Sequence, residues 1–204
     1  MKTPTDRNKG SFGTPIIVFE NTELIDKLKD YILSQATDGI ASKVAEDIKV
    51  NLTESKFDLF QRKVEIIEKT TRFIASSLKK TLNSLQQENY GYKISFNESW
   101  YHIGEKNSAH ESHNHPNCSW CGVFCVQSGD PNSGGQTVFH SPIRSNFRDH
   151  GTKYLAKETT LRVKAKDGRL TLFPSYLTHS QSLYTGDKPR IVVAFNSTIR
   201  GIEP

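Results

Sequence analysis

The chain has 204 residues, 35% of them apolar and 24% charged, with 27 Lys/Arg against 22 Asp/Glu for a formal net charge of +5. That composition suits one globular domain with a sizeable core and excludes a disordered or fibrous protein. No apolar run approaches the roughly 20 residues needed to cross a bilayer, and so modest a basic excess does not by itself imply a nucleic-acid partner.

Residues 1–14 are polar, lack the apolar segment of a signal peptide and read as a flexible tail ahead of a single domain, 15–204. "PIIVFEN", 15–21, reads as a short buried strand. Asn21 or Thr22 can cap the helix that follows, which carries Leu24, Ile25, Leu28 and Ile32 at helical spacing. From Phe60 through Val64, Ile67, Ile74, Leu78, Leu82 and Leu85, steps of three and four predict a long amphipathic helix packed on a sheet. Helical support thus occupies 20–90.

From Tyr92 the period changes to two. "YKISFNESWYHI" (92–103), "CGVFCVQ" (121–127) and "QTVFH" (136–140) read as strands, the last after the turn "DPNSGG". "LRVKAKDGRLTLF" (161–173) is a hairpin candidate turning at Asp167-Gly168, and "PRIVVAFN" (189–196) is a last buried strand. Helices first and at least six short strands after them predict an α+β fold, mainly β, with an antiparallel sandwich or barrel over 92–198 buttressed by the N-terminal helices.

Within "AHESHNHPNCSWC", 109–121, lie His110, His113, His115, Cys118 and Cys121, all able to ligate a metal. A structural zinc site would draw a second ligand pair from a separate knuckle. The chain offers only Cys125, inside the apolar "GVFCV", where a thiol serves as a small hydrophobe. Downstream, His179 follows a strand and a Pro-Ser turn, and Arg190 opens the next strand. Two histidines of "HNH" with one distant histidine would hold a metal on one face and leave the other open, as redox-active Fe(II) requires. Arg190 could pair bidentately with a carboxylate of a small co-substrate.

"SWYHIGEKNSAHESHNHPNCSWCGVFCVQSGDPNSGGQTVFHSP" followed by "GRLTLFPSYLTHSQSLYTGDKPRIVVAFN" resembles the 2-oxoglutarate- and Fe(II)-dependent oxygenases, in particular a bacterial and phage group distantly related to prolyl 4-hydroxylase. The resemblance covers about residues 99–196. It implies a double-stranded β-helix (jelly roll) with iron at its mouth, His179 as the distal ligand and "HNHPN" as the proximal ligand loop. It implies Arg190 as the partner of the far carboxylate of 2-oxoglutarate. Trp100 and Tyr101 begin the strand leading to the site; one of them is expected to line the core, and Tyr101 could reach the co-substrate. Cys118 and Cys121 fall where relatives have serine, which counts against zinc.

The family's carboxylate, two residues after the first histidine, is missing. Three ligand sets are open: His113, His115 and His179 together; His115 and His179 alone; or a set that Glu111 joins. His110 and His140 are expected outside the ligand set, and Thr137, Pro174 and Ser175 are expected to shape turns. The resemblance implies Fe(II), 2-oxoglutarate and dioxygen as reaction partners. The primary substrate is unidentified, with a peptidyl side chain as the guess by analogy. Two alternatives are a three-His cupin-type dioxygenase that does not use 2-oxoglutarate and a non-catalytic jelly-roll binding module. No membrane partner is expected and a nucleic acid is disfavoured. The basic segment 144–169 has eight Lys/Arg against three Asp/Glu, and within it Arg144 to Lys157 reads as an insertion overhanging the site, either a solvated loop or a lid or clamp for an acidic partner. Three cysteines without a secretion signal argue for the cytoplasm.

Overall fold

The computed structural model describes residues 14–36, 42–43, 49–85, 91–142 and 160–202. Two sequence expectations lie outside these residues: the tail, and the part of the basic segment from Arg144 to Lys157.

Strand β1 (Ile17–Glu20) and helix α1 (Ile25–Ala36) open the described chain. Then come β2 (Ser42–Lys43), β3 (Lys49–Glu54) and a 3₁₀ turn, Leu59–Gln61. Helix α2 (Glu65–Leu85) starts later than the periodicity from Phe60 predicts, because extended Arg62 (φ −74°, ψ 125°) interrupts the helical path. α2 buries Ile67, Ile74, Leu78 and Leu82, one stripe of the predicted amphipathic helix.

The rest is antiparallel sheet: β4 (Gly91–His113), β5 (Trp120–Gln127), β6 (Thr137–His140), β7 (Thr160–Val163), β8 (Arg169–Pro174), β9 (His179–Tyr184) and β10 (Arg190–Ile202). The spatial order is β1-β8-β5-β10-β4-β9-β6-β7, with β3 also on β4 and β2 on β3. The long strand β4 makes this possible. Its residues 91–104 pair with β10, and farther on Ser108, His110 and His113 pair with β9, with a register break between each pair and the next. One strand therefore serves both layers of a jelly roll.

Alternation along the larger layer separates two cores. Tyr101, Phe124, Leu170, Leu172 and Val193 point outward onto Leu28, Ile67, Ile74 and Leu78 of the helices. Between the layers, Cys121 and Phe173 of the larger sheet meet Phe139 and Val163 of the smaller one, with Phe139 edge-on to Phe173 at 4.8 Å. Each fully buried side chain of this size contributes about 1.5–3 kcal/mol.

The hairpin at Asp167-Gly168 is not formed. The turn exists, with Gly168 at φ +78° and Arg169 N–H donating to the Lys166 carbonyl. But β7 pairs with β6, whereas β8 pairs with β5 and β1. Reversal at a turn is local chemistry; the choice of partner belongs to the layers.

Candidate active site

His113 is the last residue of β4 and lies opposite His179, the first residue of β9. After His113 the chain passes His115 and Pro116 and turns back through Asn117, in the left-handed region at φ 60°, a conformation asparagine tolerates better than most residues. His115 is fixed by its backbone N–H, which donates to the Ser175 carbonyl at 3.2 Å. The turn that ends β8 thus also anchors the loop carrying His115.

This local folding brings His113, His115 and His179 together, with one potential ligand atom from each within 4.8 Å of the others. His113 Nδ1 lies 2.8 Å from the Glu111 carbonyl and His179 Nδ1 lies 3.0 Å from the Leu177 carbonyl. A carbonyl only accepts, so both Nδ1 atoms carry the proton, and Nε2 of each ring keeps the lone pair a metal needs. His179 is buried while the other two are half-buried. Burial, and then the nearby His113, push the His179 pKa down to about 3, so it is neutral and ready to ligate at physiological pH. The carboxylate of Glu111 is exposed and lies outside this group.

Arg190 opens into the same cavity, which Trp100, His102, Gln181 and the three histidines also line. Its side chain is buried, and burial pulls its pKa down. Arg190 Nη1 donates to Gln181 Oε1 at 2.8 Å, while Nε has no hydrogen-bond partner. Among the described residues no carboxylate pairs with it. Gln181 is held in turn by Ser108, its Nε2 lying 3.4 Å from Ser108 Oγ. The turn "GG" packs on the arginine stem: a Cβ on Gly135, already at φ +68°, would meet Arg190 Cδ at 2.7 Å. Nitrogen donors from three imidazoles fit Fe(II), and a buried guanidinium with unmet hydrogen-bonding capacity fits an anionic carboxylate.

Tyr101 does not join this group. It is 1% exposed and belongs to the core against the helices. Its neighbours on β4, Trp100 and His102, face the cavity instead, so the co-substrate role offered to Tyr101 falls on the wrong face of the strand. His110 stacks on His113, with ring centroids 4.0 Å apart. His140 Nε2 lies 3.1 Å from Ser180 Oγ, and Thr137 lines the cavity rather than only shaping a turn.

Three features escaped sequence reasoning. Gln181 lies two residues after His179 and would have been found at that spacing had "HSQSLY" been read as a strand. Trp100 stands 6.0 Å from His115, ring to ring, with Phe57 edge-on behind it. His102 meets Glu54 in a buried pair across β3 and β4. Glu54 had no signal, since β3 itself was not predicted.

Residues 98–196 match the 2OG-Fe(II) oxygenase family, and no curated protein sequence matches the chain. Solved structures share the fold at low identity. A prolyl-4-hydroxylase from Pseudomonas putida is 14% identical with a TM-score of 0.64, the match covering 91% of this chain and 93% of that one. A prolyl hydroxylase from Trichoplax adhaerens, in complex with a hypoxia inducible factor peptide, is 13% identical with a TM-score of 0.62, covering 95% and 87%. HygX from Streptomyces hygroscopicus, with nickel and 2-oxoglutarate bound, is 10% identical with a TM-score of 0.61, covering 91% and 83%. Family and fold together account for a histidine cluster and a buried arginine sharing one jelly-roll cavity. Over residues 98–196, just under half of the chain, the sequence is similar to the 2-oxoglutarate- and Fe(II)-dependent oxygenases, oxidoreductases that take 2-oxoglutarate and dioxygen as co-substrates, and the chain shares its fold with prolyl 4-hydroxylases.

Proposed function

We propose that His113, His115 and His179 hold Fe(II), that Arg190 takes the far carboxylate of 2-oxoglutarate, and that residues 15–204 form one oxygenase domain that hydroxylates a C–H bond. Bound iron and 2-oxoglutarate supply the oxidative chemistry: dioxygen is consumed, the co-substrate leaves as succinate and CO₂, and one oxygen atom enters the primary substrate.

The observation that carries this reading is the convergence of three imidazoles with a buried arginine that has no carboxylate partner among the described residues. The protein's share is geometric and electrostatic. Backbone carbonyls of Glu111 and Leu177 fix two imidazoles in the ligating tautomer. Gln181 fixes the guanidinium. Three neutral ligands leave the metal its full charge, which strengthens its hold on a dianionic co-substrate. The substrate class suggested by the two prolyl hydroxylase neighbours is a prolyl or other peptidyl side chain. Three free thiols suit the cytoplasm, and no helix among the described residues is long and apolar enough to cross a membrane.

The test is anaerobic: Fe(II) is added, then 2-oxoglutarate, and the visible charge-transfer band of the chelate is followed. Wild type should develop the band, His179→Ala should not, and Arg190→Ala should need far more 2-oxoglutarate. Iron binding without a band would overturn the co-substrate assignment. A band of unchanged strength in His179→Ala would overturn the ligand set.

A further inference from the structure

The cysteines that the oxygenase reading leaves aside are placed to act on it. Cys118 and Cys121 have their sulfurs 3.7 Å apart. Cys118 is half-buried, in the loop after His115, and its Sγ–H donates to the His115 carbonyl at 3.5 Å. Cys121 is 1% exposed on β5, lines the cavity of the histidines and donates to Asn196 Oδ1 at 3.2 Å. Between them, Ser119 N–H donates to the Ser197 carbonyl at 2.7 Å and the Ser119 carbonyl accepts from Ser175 N–H at 3.0 Å.

We propose that Cys118 and Cys121 are a peroxide-responsive pair that closes to a disulfide and, in closing, displaces the loop carrying His115. The chemistry balances with hydrogen peroxide as oxidant. The Cys118 thiol attacks the peroxide O–O bond, giving Cys118 sulfenic acid and one water. Cys121 sulfur then attacks the Cys118 sulfur, forming the S–S bond and releasing the sulfenic oxygen as a second water. Two thiols lose two electrons and the peroxide gains them. The order follows exposure, since Cys118 is the thiol an oxidant meets first, and burial holds the Cys121 thiol well above the usual thiol range.

Displacement follows from the same geometry. The sulfurs must close from 3.7 Å to about 2.05 Å. Cys121 is held within β5, between β10 and β8, so the movement falls on Cys118. Both thiol hydrogen bonds vanish on oxidation, including the one to the His115 carbonyl. Cys125, buried and four residues farther along β5, is an internal spectator.

The first measurement is independent of metal and of the oxygenase reading. Metal-free protein in chelator is treated with stoichiometric hydrogen peroxide, then mapped by mass spectrometry and by amide exchange. The expected result is a loss of two hydrogen atoms within the peptide holding Cys118 and Cys121, reversed by dithiothreitol, with faster exchange at the His115 amide. Cys118→Ser should bind Co(II) as reduced wild type does and should lose the response to peroxide. Two added oxygens on Cys118, with Cys121 still open to alkylation after denaturation, would overturn the proposal. So would a disulfide that leaves exchange at His115 unchanged. The consequence for the site rests on His115 being a ligand: Co(II) affinity should fall on the order of tenfold on oxidation, the scale of lost support around a metal ligand. Reduced protein that binds no Co(II) would count against the ligand set, and the mass and exchange results would still decide the thiol pair.

Discussion

Arg190 carries its charge in the interior with one neutral hydrogen-bond partner among the described residues, Gln181. A buried guanidinium costs desolvation that a single neutral hydrogen bond does not recover, so its worth should lie in binding rather than in stability. Arg190→Met, of similar length and apolar, should melt no lower than wild type without ligand and should lose the rise in Tm that 2-oxoglutarate gives wild type. A drop of several degrees in the unliganded variant would make the arginine a structural residue. His179 allows a second prediction at this scale. Its pKa falls from 6.5 in the unfolded chain to about 3 in the fold, first through burial and then through His113. Between those values the unfolded state binds a proton the native state refuses, so this group lowers stability as pH falls from about 6.5 toward 3 and contributes nothing above that window. His179→Gln, studied in chelator, should flatten the decline by up to about 1.4 kcal/mol per pH unit. Urea midpoints from pH 7 to 4.5 would show it, and parallel curves for the two proteins would refute it.

At the scale of the elements, what was legible depended on whether neighbours in space or in sequence decide the conformation. α1, α2 and the first half of β4 bury one face, and their periodicity shows it. The second half of β4, "EKNSAHESH", is polar with no alternation, yet it is strand because β3 and β9 pair with it. The same polarity supplies His110 and His113, so the stretch least readable as structure was the most readable as chemistry. Tyr101 shows the converse: the strand was evident, but which of Trp100 and Tyr101 faced the cavity depended on where the helices pack. β5 offers a test of that packing. A Cβ on Gly122 would lie 2.5 Å from the Phe195 ring and 2.9 Å from Leu172. Gly122→Ala should therefore cost about 1–3 kcal/mol by overpacking, read as a lower urea midpoint at unchanged m-value. Wild-type stability in this variant would mean the face between β5, β8 and β10 has slack that these distances deny.

For the whole molecule, the three histidines lie where the two layers of the jelly roll are joined least regularly. β4 and β9 pair through only three registered positions with two breaks between them, and the last of these pairs is His113 with His179. Residues 91–104 of β4, by contrast, pair along the whole of β10 with one irregularity. A metal held by His113, His115 and His179 would bridge the end of β4, the loop after it and the start of β9, replacing missing ladder bonds with coordination bonds. Such a ligand stabilises the fold by mass action, about 2.7 kcal/mol at a hundredfold excess over Kd, but the gain should be local before it is global. Hydrogen exchange with and without Zn(II), a diamagnetic substitute, should show protection concentrated in residues 108–115 and 179–184. Amides of α2 and of the β4–β10 ladder should slow only as far as global stability rises. Protection spread evenly over the chain would place the metal elsewhere. Protection confined to the seam would make the ion a structural tie between the layers as well as the centre of the chemistry, and metal-free protein should then open first at the mouth of its own active site.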